Sequence, residues 1–354
     1  MADRLLEVKD LAVEFRTGEG IVKAVRGVSV HVEKGEILGF AGESGSGKSV
    51  SAMACLGLLA SNGTVTSGSI RFAGKELLLP KDSTRDQLRR HEEMLRRLRG
   101  NEISMIFQDP MTYLNPVLTI GTQLTEGILA HTQCSRREAW KKGIEMLRQV
   151  EISDPEKRMR QYPYEFSGGM RQRIIIAIAF SCDPQLLIAD EPTTALDVTV
   201  QAQILDLIRK RAREKGTSVI MITHDLGVVA SLCDRVAVLY GGRIEEAGTA
   251  DEIFYEPRHP YTEGLLSSIS RRNSETMDKT PLTPIPGTPP DLLHMNSGCP
   301  FASRCPEAMR ICKDYLPAIS SFSRTHDAEC WRYCRAQAQQ LILKQMEERG
   351  ERNE

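Results

Sequence analysis

The sequence predicts an α/β protein with a mixed sheet, an antiparallel β portion at its N-terminus, an inserted helical subdomain and an irregular C-terminal extension. Residues 1–40 alternate apolar and polar side chains, as half-buried strands do. Later apolar runs have the length of buried strands, and helical patterns separate them: Ile37–Ala41, Ser218–Thr223 and Val236–Tyr240. Proline becomes frequent past about residue 257, and it disfavours regular elements there.

The composition is that of a soluble globular protein. Of 354 residues, 41% are hydrophobic and 26% are charged. Lys plus Arg is 46 and Asp plus Glu is 47, and this near-neutral balance gives no general attraction to nucleic acid or anionic lipid. No apolar run approaches the ~18 residues of a membrane span, and the N-terminus lacks a signal-peptide pattern. We therefore expect a cytoplasmic chain that does not bind nucleic acid.

The first elements follow from local patterns. Gly18–Gly20 predicts a hairpin turn between two strands, and a helix is expected from about Lys48, after a Gly-rich loop. Residues 81–99 are rich in charge, and their leucines fall on one helical face: Leu88, Leu95 and Leu98. Such a basic amphipathic helix could lie on a membrane, but we favour a solvated insertion packed on the body.

The second half of the chain completes the pattern. Residues 117–165 are predicted to be mostly helical, and Gly241–Gly242 should form a turn before a strand at Arg243–Glu246. The run P-L-T-P-I-P-G-T-P-P at 281–290 predicts an extended linker, and 331–350 predicts a terminal helix.

A phosphate-binding loop is the strongest local signal. The segment G-E-S-G-S-G-K-S matches G-x-x-x-x-G-K-[ST], follows an apolar strand and precedes a helix. Its candidate ligands of phosphate are Gly42, Glu43, Ser44, Gly45, Ser46, Gly47, Lys48 and Ser49. Gly45 and Gly47 permit the backbone angles that turn N–H groups onto phosphate oxygens, Lys48 neutralises charge, and Ser49 offers a hydroxyl to Mg²⁺.

Two carboxylates follow the apolar run Leu186–Ala189. Asp190 stands at the expected strand end, where a carboxylate reaches Mg²⁺. Glu191 points differently, so it can orient or deprotonate an attacking water.

These residues belong to a larger set, and with it the chain resembles an ATPase subunit of an ABC transporter over roughly residues 5–335. Ser167–Gln172 resembles the ABC signature, and Ala195–Asp197 resembles the D-loop. Gln108, His224 and Phe15 are similar to the Q-loop glutamine, the switch histidine and the adenine-stacking aromatic of the family. All occur in the family's order.

The resemblance implies a mechanism and partners. Two P-loop ABC ATPase cores would close around ATP, with Glu191 acting on water and Gln108 and His224 sensing the γ-phosphate. It also implies Gln108 as a further ligand of Mg²⁺, beside Ser49 and Asp190. Ser167 and Gly169 would cap ATP held by the opposite subunit.

A finer resemblance is to the peptide/nickel importer ATPases, and to the D-type subunit of dipeptide and oligopeptide permeases. It is carried by F-Q-D-P-M-T-Y-L-N-P at 107–116, P-R-H-P-Y-T at 257–262 and I-P-G-T-P-P at 285–290. It implies a related F-type ATPase partner, two transmembrane permease subunits, an extracytoplasmic substrate-binding protein, and a location on the cytoplasmic side of the inner membrane. Import of nickel, a metallophore or glutathione, and a non-transport ABC ATPase, remain alternatives.

Five of the nine cysteines fall between residues 299 and 334. In a reducing compartment this cluster suggests a metal site or nothing. Four thiolates suit an Fe–S cluster or Zn²⁺. The subfamily resemblance implies a [4Fe–4S] cluster on the four cysteines spaced C-x5-C-x6-C-x17-C: Cys299, Cys305, Cys312 and Cys330. Cys334 is an alternative ligand or a free thiol.

The expected division is an ATPase domain at 1–256, with its helical subdomain at about 115–175, and an extension at 257–354. A metal-sensing regulator dominated by this tail is a rival interpretation. The complete hydrolytic set argues against it.

Overall fold

A computed structural model describes residues 4–80, 82–108, 113–194, 196–268, 284–334 and residue 336. The strands are β1 Arg4–Arg16, β2 Ile21–Glu33, β3 Ile37–Ala41, β4 Gly63–Phe72, β5 Lys75–Glu76, β6 Ile103–Ile106, β7 Leu186–Asp190, β8 Ser218–Ile222, β9 Arg235–Tyr240, β10 Arg243–Thr249, β11 Ile319–Ser321 and β12 Asp327–Glu329. The helices are α1 Lys48–Cys55, α2 Arg85–Leu98, α3 Ile120–His131, α4 Arg136–Gln149, α5 Pro155–Arg158, α6 Gly168–Phe180, α7 Val198–Lys215, α8 Leu226–Leu232, α9 Ala250–Tyr255, α10 Pro260–Ser267 and α11 Ile311–Asp314.

The N-terminal strands form the predicted antiparallel sheet, in the order β2-β1-β4-β5. The turn between β1 and β2 lies at Gly18–Gly20, where the glycines predict it. A hydrogen bond from the Thr17 N–H to the Gly20 carbonyl closes it at 2.9 Å. The alternation of this region places one face on the core, with Leu6, Val8 and Val13 buried.

The second sheet has eight strands in the order β11-β12-β10-β9-β3-β8-β7-β6. Strands β9, β3, β8, β7 and β6 are parallel neighbours. Their apolar runs are buried on both faces, between the antiparallel sheet with α1 on one side and α3, α4, α6 and α7 on the other. Because parallel strands end at one edge, the loops after β3, β7 and β8 meet there.

The far edge of this sheet corrects one expectation. The C-terminal extension is not wholly irregular: β12 pairs with β10 through Glu246 and Ala328, and β11 pairs with β12. Each of these strands has only three residues, too few for a periodic pattern in the sequence. The extension therefore continues the eight-stranded sheet.

Within the charged segment, Arg85–Leu98 form α2, which packs on the body. Leu95 and Leu98 are buried, whereas Leu88 is 52% exposed and lies outside the apolar contact. This arrangement agrees with the packed insertion that the sequence favoured. Within the described ranges, no helix combines the length and apolarity that crossing a membrane requires.

Helices α3, α4 and α5 fall within residues 117–165, which the sequence predicts to be mostly helical. Capping boxes start three of the described helices where the sequence offers Ser or Thr three residues before Glu or Gln, at Thr84 for α2, Ser135 for α4 and Thr249 for α9. Some predicted features lie outside the described residues: 109–112 of the 107–116 motif, Ala195 of the D-loop, 281–283 of the linker and most of the helix predicted at 331–350.

Candidate functional site

The loop between β3 and α1 has the backbone of a phosphate cradle. Gly45 and Gly47 have φ of +77° and +97°, in the region that side chains rarely adopt. A Cβ on Gly47 would lie 2.6 Å from the Ala24 carbonyl oxygen, so only glycine fits this approach. The loop ends on the N-terminus of α1, which begins at Lys48 and adds favourable partial charge for an anion.

Lys48 is 5% exposed, and its ammonium lies inside the loop. Nζ donates to the Gly42 carbonyl at 2.8 Å, the Glu43 carbonyl at 2.7 Å and Ser46 Oγ at 3.3 Å. All three acceptors are uncharged, so the positive charge is available to phosphate oxygens. Burial lowers the pKa of Lys48, and nearby Glu191 opposes that shift.

A hydroxyl and a carboxylate meet beside the lysine. Ser49 Oγ, on the first turn of α1, donates to Asp190 Oδ1, at the end of β7, at 2.9 Å. Burial raises the pKa of Asp190, and the hydrogen bond from Ser49 works against this. Oxygen ligands of this kind are those that Mg²⁺ prefers, so the pair fits the ion that accompanies ATP.

Glu191 contacts both residues that are predicted to sense the γ-phosphate, Gln108 and His224. Its Oε2 accepts hydrogen bonds from Gln108 Nε2 and Thr194 Oγ1, each at 3.0 Å, and its Oε1 lies 3.1 Å from His224 Nδ1. Gln108 follows β6, Glu191 follows β7 and His224 follows β8, so the sheet edge itself brings them together.

The environment of Glu191 keeps it ionised. Burial by itself would raise the pKa of Glu191, but the hydrogen bonds from His224 and Thr194 outweigh burial and lower it. Its backbone has φ of +45°, a strained conformation for a non-glycine residue. The Glu191 N–H donates to the Ile222 carbonyl at 2.9 Å, which holds this backbone on β8.

Other predicted site residues lie apart from this group. Ser167 is exposed and caps α6, where its Oγ accepts from Met170 N–H at 3.4 Å. Gly169 is half-buried on the first turn of the same helix, against Val200. Phe15 is half-buried at the end of β1, with its ring against Gly63, and its role in stacking stays a prediction.

Several contacts at the site were missed from the sequence. Thr194 binds Glu191, and buried Gln172 donates to the Pro192 carbonyl at 2.6 Å, tying the signature helix to the loop after β7. Tyr261 and Arg304, from beyond residue 257, contact the phosphate loop at Glu43. Gln172 ends the segment that resembles the signature, and Thr194 directly precedes the segment that resembles the D-loop, so their positions were a usable signal. Arg304 carried none.

The four predicted cluster cysteines line one cavity, with apolar side chains such as Phe301 and Trp331. They are Cys299, Cys305, Cys312 and Cys330. The Cys299 N–H donates to the Cys312 carbonyl at 2.8 Å, which fixes two of the ligand-bearing segments against each other. Four thiols around one largely apolar cavity are a donor set that suits an iron–sulfur cluster or zinc.

Burial raises the pKa of the Cys330 thiol to about 11 and also raises the pKa of Cys299 and Cys305. Burial therefore disfavours the thiolate form in this cavity unless a bound cation compensates its charge. Cys334 lies elsewhere: its Sγ is 3.4 Å from the Ala318 carbonyl oxygen and 3.4 Å from Ser320 Oγ. That position favours a free thiol.

A second set of possible ligands is Glu245, His259 and Cys299, whose donor atoms lie within 4.8 Å of one another. Tyr261 N–H donates to His259 Nδ1 at 3.1 Å, so the neutral ring carries its hydrogen on Nε2, 3.3 Å from Glu245 Oε2. Burial lowers the pKa of His259 to about 3 and raises that of Glu245 to about 8. A neutral hydrogen-bonded pair accounts for this contact without a metal.

The chain matches two family profiles. Residues 25–194 match the family described as ABC transporter, and residues 245–312 match the oligopeptide/dipeptide transporter C-terminal region. The first match contains the phosphate loop and Glu191, and the second contains Cys299, Cys305 and Cys312.

Curated relatives match over almost the whole chain. The dipeptide transport ATP-binding protein DppD of Bacillus subtilis is 51% identical over 330 residues, 93% of this chain and 95% of the relative. The oligopeptide transport ATP-binding protein OppD of Escherichia coli is 51% identical, covering 94% of each. The solved structure of the ATP-binding cassette MJ0796, a post-hydrolysis dimer bound to ADP and Pi, is 26% identical, with a TM-score of 0.59 over 69% of this chain and 98% of that one.

Proposed function

Since this chain belongs to the ABC transporter ATP-binding proteins of the oligopeptide/dipeptide type, we propose that it binds and hydrolyses ATP to power uptake of di- or oligopeptides through a multi-subunit importer. One observation carries the hydrolytic part. Lys48, the Ser49–Asp190 pair and Glu191 with its partners all lie at one edge of the parallel strands. The names of the relatives support peptides as the substrate class.

The proposed mechanism assigns a role to each residue of the site. Lys48 neutralises the β- and γ-phosphates, and the loop N–H groups hold them. Ser49 and Asp190, with Gln108 as a further ligand, would hold Mg²⁺, which would stabilise negative charge on the phosphate oxygens. Ionised Glu191 orients or deprotonates the attacking water, while Gln108 and His224, which both touch Glu191, sense the γ-phosphate.

The partner's site completes the cycle. Exposed Ser167 and half-buried Gly169 cap ATP bound by a second ATPase subunit, which we propose is a related F-type chain. The helical subdomain at about 115–175 passes closure to two transmembrane permease subunits, and an extracytoplasmic binding protein delivers the peptide. The chain then lies on the cytoplasmic side of the inner membrane. The ATPase domain is 1–256 in this proposal, and 257–354 is the extension.

We propose further that the extension binds a [4Fe–4S] cluster through Cys299, Cys305, Cys312 and Cys330. The shared cavity and its apolar lining support this ligand set. The cluster would bind the segments around these cysteines to one another, as a disulfide framework does in secreted domains.

Transport in a reconstituted complex tests the function. We expect the chain, assembled with its membrane subunits and binding protein in liposomes, to drive uptake of labelled di- or oligopeptides that depends on ATP. Lys48→Ala should abolish uptake, because the buried ammonium faces the phosphates. ATP-driven uptake of nickel complexes or glutathione in place of peptides would contradict the substrate class. ATP hydrolysis that persists in the Lys48→Ala variant would contradict the proposed nucleotide site.

Metal analysis tests the cluster, with the chain purified anaerobically. We expect a brown protein with about four iron atoms per chain. Cys305→Ser should lose iron and colour, because that thiol lines the cavity. Cys334→Ser should keep both, because its sulfur contacts Ala318 and Ser320 instead. A colourless protein with stoichiometric zinc would defeat the iron–sulfur assignment.

A further inference from the structure

The phosphate loop is tied to the Cys-rich extension by a buried ion pair. Arg304 Nη1 lies 2.6 Å from Glu43 Oε2, and Arg304 Nη2 lies 3.0 Å from Glu43 Oε1. The arginine side chain is 5% exposed, and the glutamate side chain is 26% exposed. Two parallel charge-assisted bonds fix orientation as well as distance. Glu43 is the second residue of the phosphate loop, and Arg304 directly precedes Cys305.

The guanidinium is itself held from several sides. Its Nε donates to the Pro286 carbonyl at 2.8 Å, Nη2 to the Ile285 carbonyl at 3.3 Å, and Nη1 to Tyr240 Oη at 3.1 Å. The hydrogen bonds to Glu43 and Tyr240 raise the pKa of Arg304, with the bond to Glu43 contributing most. These hydrogen bonds therefore hold the Arg304 guanidinium in place, and Glu43 of the phosphate loop binds to it.

A second contact reaches the backbone of the same loop residue. Glu43 N–H donates to Tyr261 Oη at 2.9 Å. The ring of Tyr261 is fully buried and packs on Tyr240 and Phe301, with centroids 4.5 Å and 5.2 Å away. Phe301 lies in the extension, so the extension supports both the side chain and the backbone of Glu43.

The same residue sets the position of the catalytic lysine. Lys48 Nζ donates to the Glu43 carbonyl at 2.7 Å. A shift of Glu43 therefore moves the ammonium and the loop N–H groups together. Phosphate binding by such a loop depends on donors that are already aimed at the anion.

We propose that Arg304 and Tyr261 are positioning residues for the phosphate loop, through which the Cys-rich segment 299–305 sets the affinity of the site for ATP. The inference rests on the proposed nucleotide site and is independent of what the cysteines bind. Removing the guanidinium would leave the Glu43 carboxylate without its charged partner and let the loop relax away from the phosphate-binding geometry.

A double-mutant cycle tests this on the full-length chain in its assembled complex, with MgATP as the ligand. Arg304→Gln should weaken ATP binding about tenfold and raise KM, with a smaller change in kcat. Glu43→Gln should act similarly, and the double variant should be no worse than either single variant, because both break one contact. Additive effects would contradict the pairing.

Arg304→Lys keeps the charge but loses the two-point contact, so we expect an intermediate Kd. If Arg304→Gln fails to fold, Arg304→Lys still tests the proposal, because an unchanged Kd for ATP in Arg304→Lys would overturn the inference. The Lys48→Ala variant distinguishes a failure of the nucleotide site from a failure of the positioning role. ATP binding that survives Lys48→Ala defeats the nucleotide site itself, whereas normal binding by Arg304→Gln beside a defective Lys48→Ala defeats only the positioning role.

Glu252→Gln is the matched control for general loosening of the extension. Glu252, on α9, accepts hydrogen bonds from Ser323 Oγ at 2.6 Å and Thr325 Oγ1 at 2.9 Å, and so ties the extension to the core without touching residues 42–49. We expect its Kd for ATP to equal that of the unmodified chain. If Glu252→Gln weakens ATP binding as much as Arg304→Gln, the effect belongs to docking of the extension and the proposal is wrong.

Discussion

Glu191→Gln will bind ATP and remain in a closed dimer, with hydrolysis reduced by about a hundredfold or more. The amide has the shape of the carboxylate and can keep bonds to Gln108, Thr194 and His224, so the pocket should persist. It cannot take a proton from water, and it lacks the charge that the lowered pKa of Glu191 maintains. ATPase rate, nucleotide retained per complex and sedimentation of the dimer measure the three parts of this result.

Glu214→Gln is a suitable control, because this carboxylate is 45% exposed on α7 and pairs only with Arg211 among the contacts described. Its ATPase rate should match that of the unmodified chain. Near-normal hydrolysis by Glu191→Gln would remove Glu191 from the catalytic role. Loss of ATP binding in Glu191→Gln would instead indicate a structural role for Glu191.

The edge of the sheet that holds the nucleotide site was predictable because its residues follow short apolar runs directly. Asp190 and His224 stand at or just after strands whose buried side chains give an unbroken apolar signal. The loop Gly42–Ser49 combines a fixed spacing with a strand before it and a helix after it. The local sequence therefore predicts the backbone conformation of each segment, and parallel pairing of the strands places the segments side by side.

Other features depend on contacts between distant parts of the chain. Glu43 and Arg304 are 261 positions apart, and neither has a local pattern that points to the other. The left-handed backbone of Glu191 is imposed by its bond to Ile222, because a glutamate has no preference for that conformation. Periodicity placed Leu88 on the apolar face of α2, yet tertiary packing covers only the later turns of that helix.

The segment from Ser167 to Glu191 should serve two nucleotides at once. Glu191 touches residues around this chain's own phosphate loop, where Lys48 is buried. Ser167 is exposed at the start of α6, a helix of 13 residues, and the adjacent Gly168 is exposed as well. A nucleotide bound at Lys48 and a nucleotide contacted by Ser167 are then different molecules in a dimer.

Ser167→Arg and Lys48→Ala should therefore damage opposite sites of a mixed dimer. Photo-crosslinking of ATP should show that Lys48→Ala loses label on this chain, because its own phosphates lose their charged ligand. Ser167→Arg should keep label on this chain but block closure over the partner's ATP, and lower hydrolysis about a hundredfold. Ser135→Arg is the control for a lost helix cap, because Ser135 is also exposed and accepts from Glu138 N–H at 3.3 Å. If Ser167→Arg instead removes label from this chain, α6 faces its own nucleotide and the shared-site arrangement is wrong.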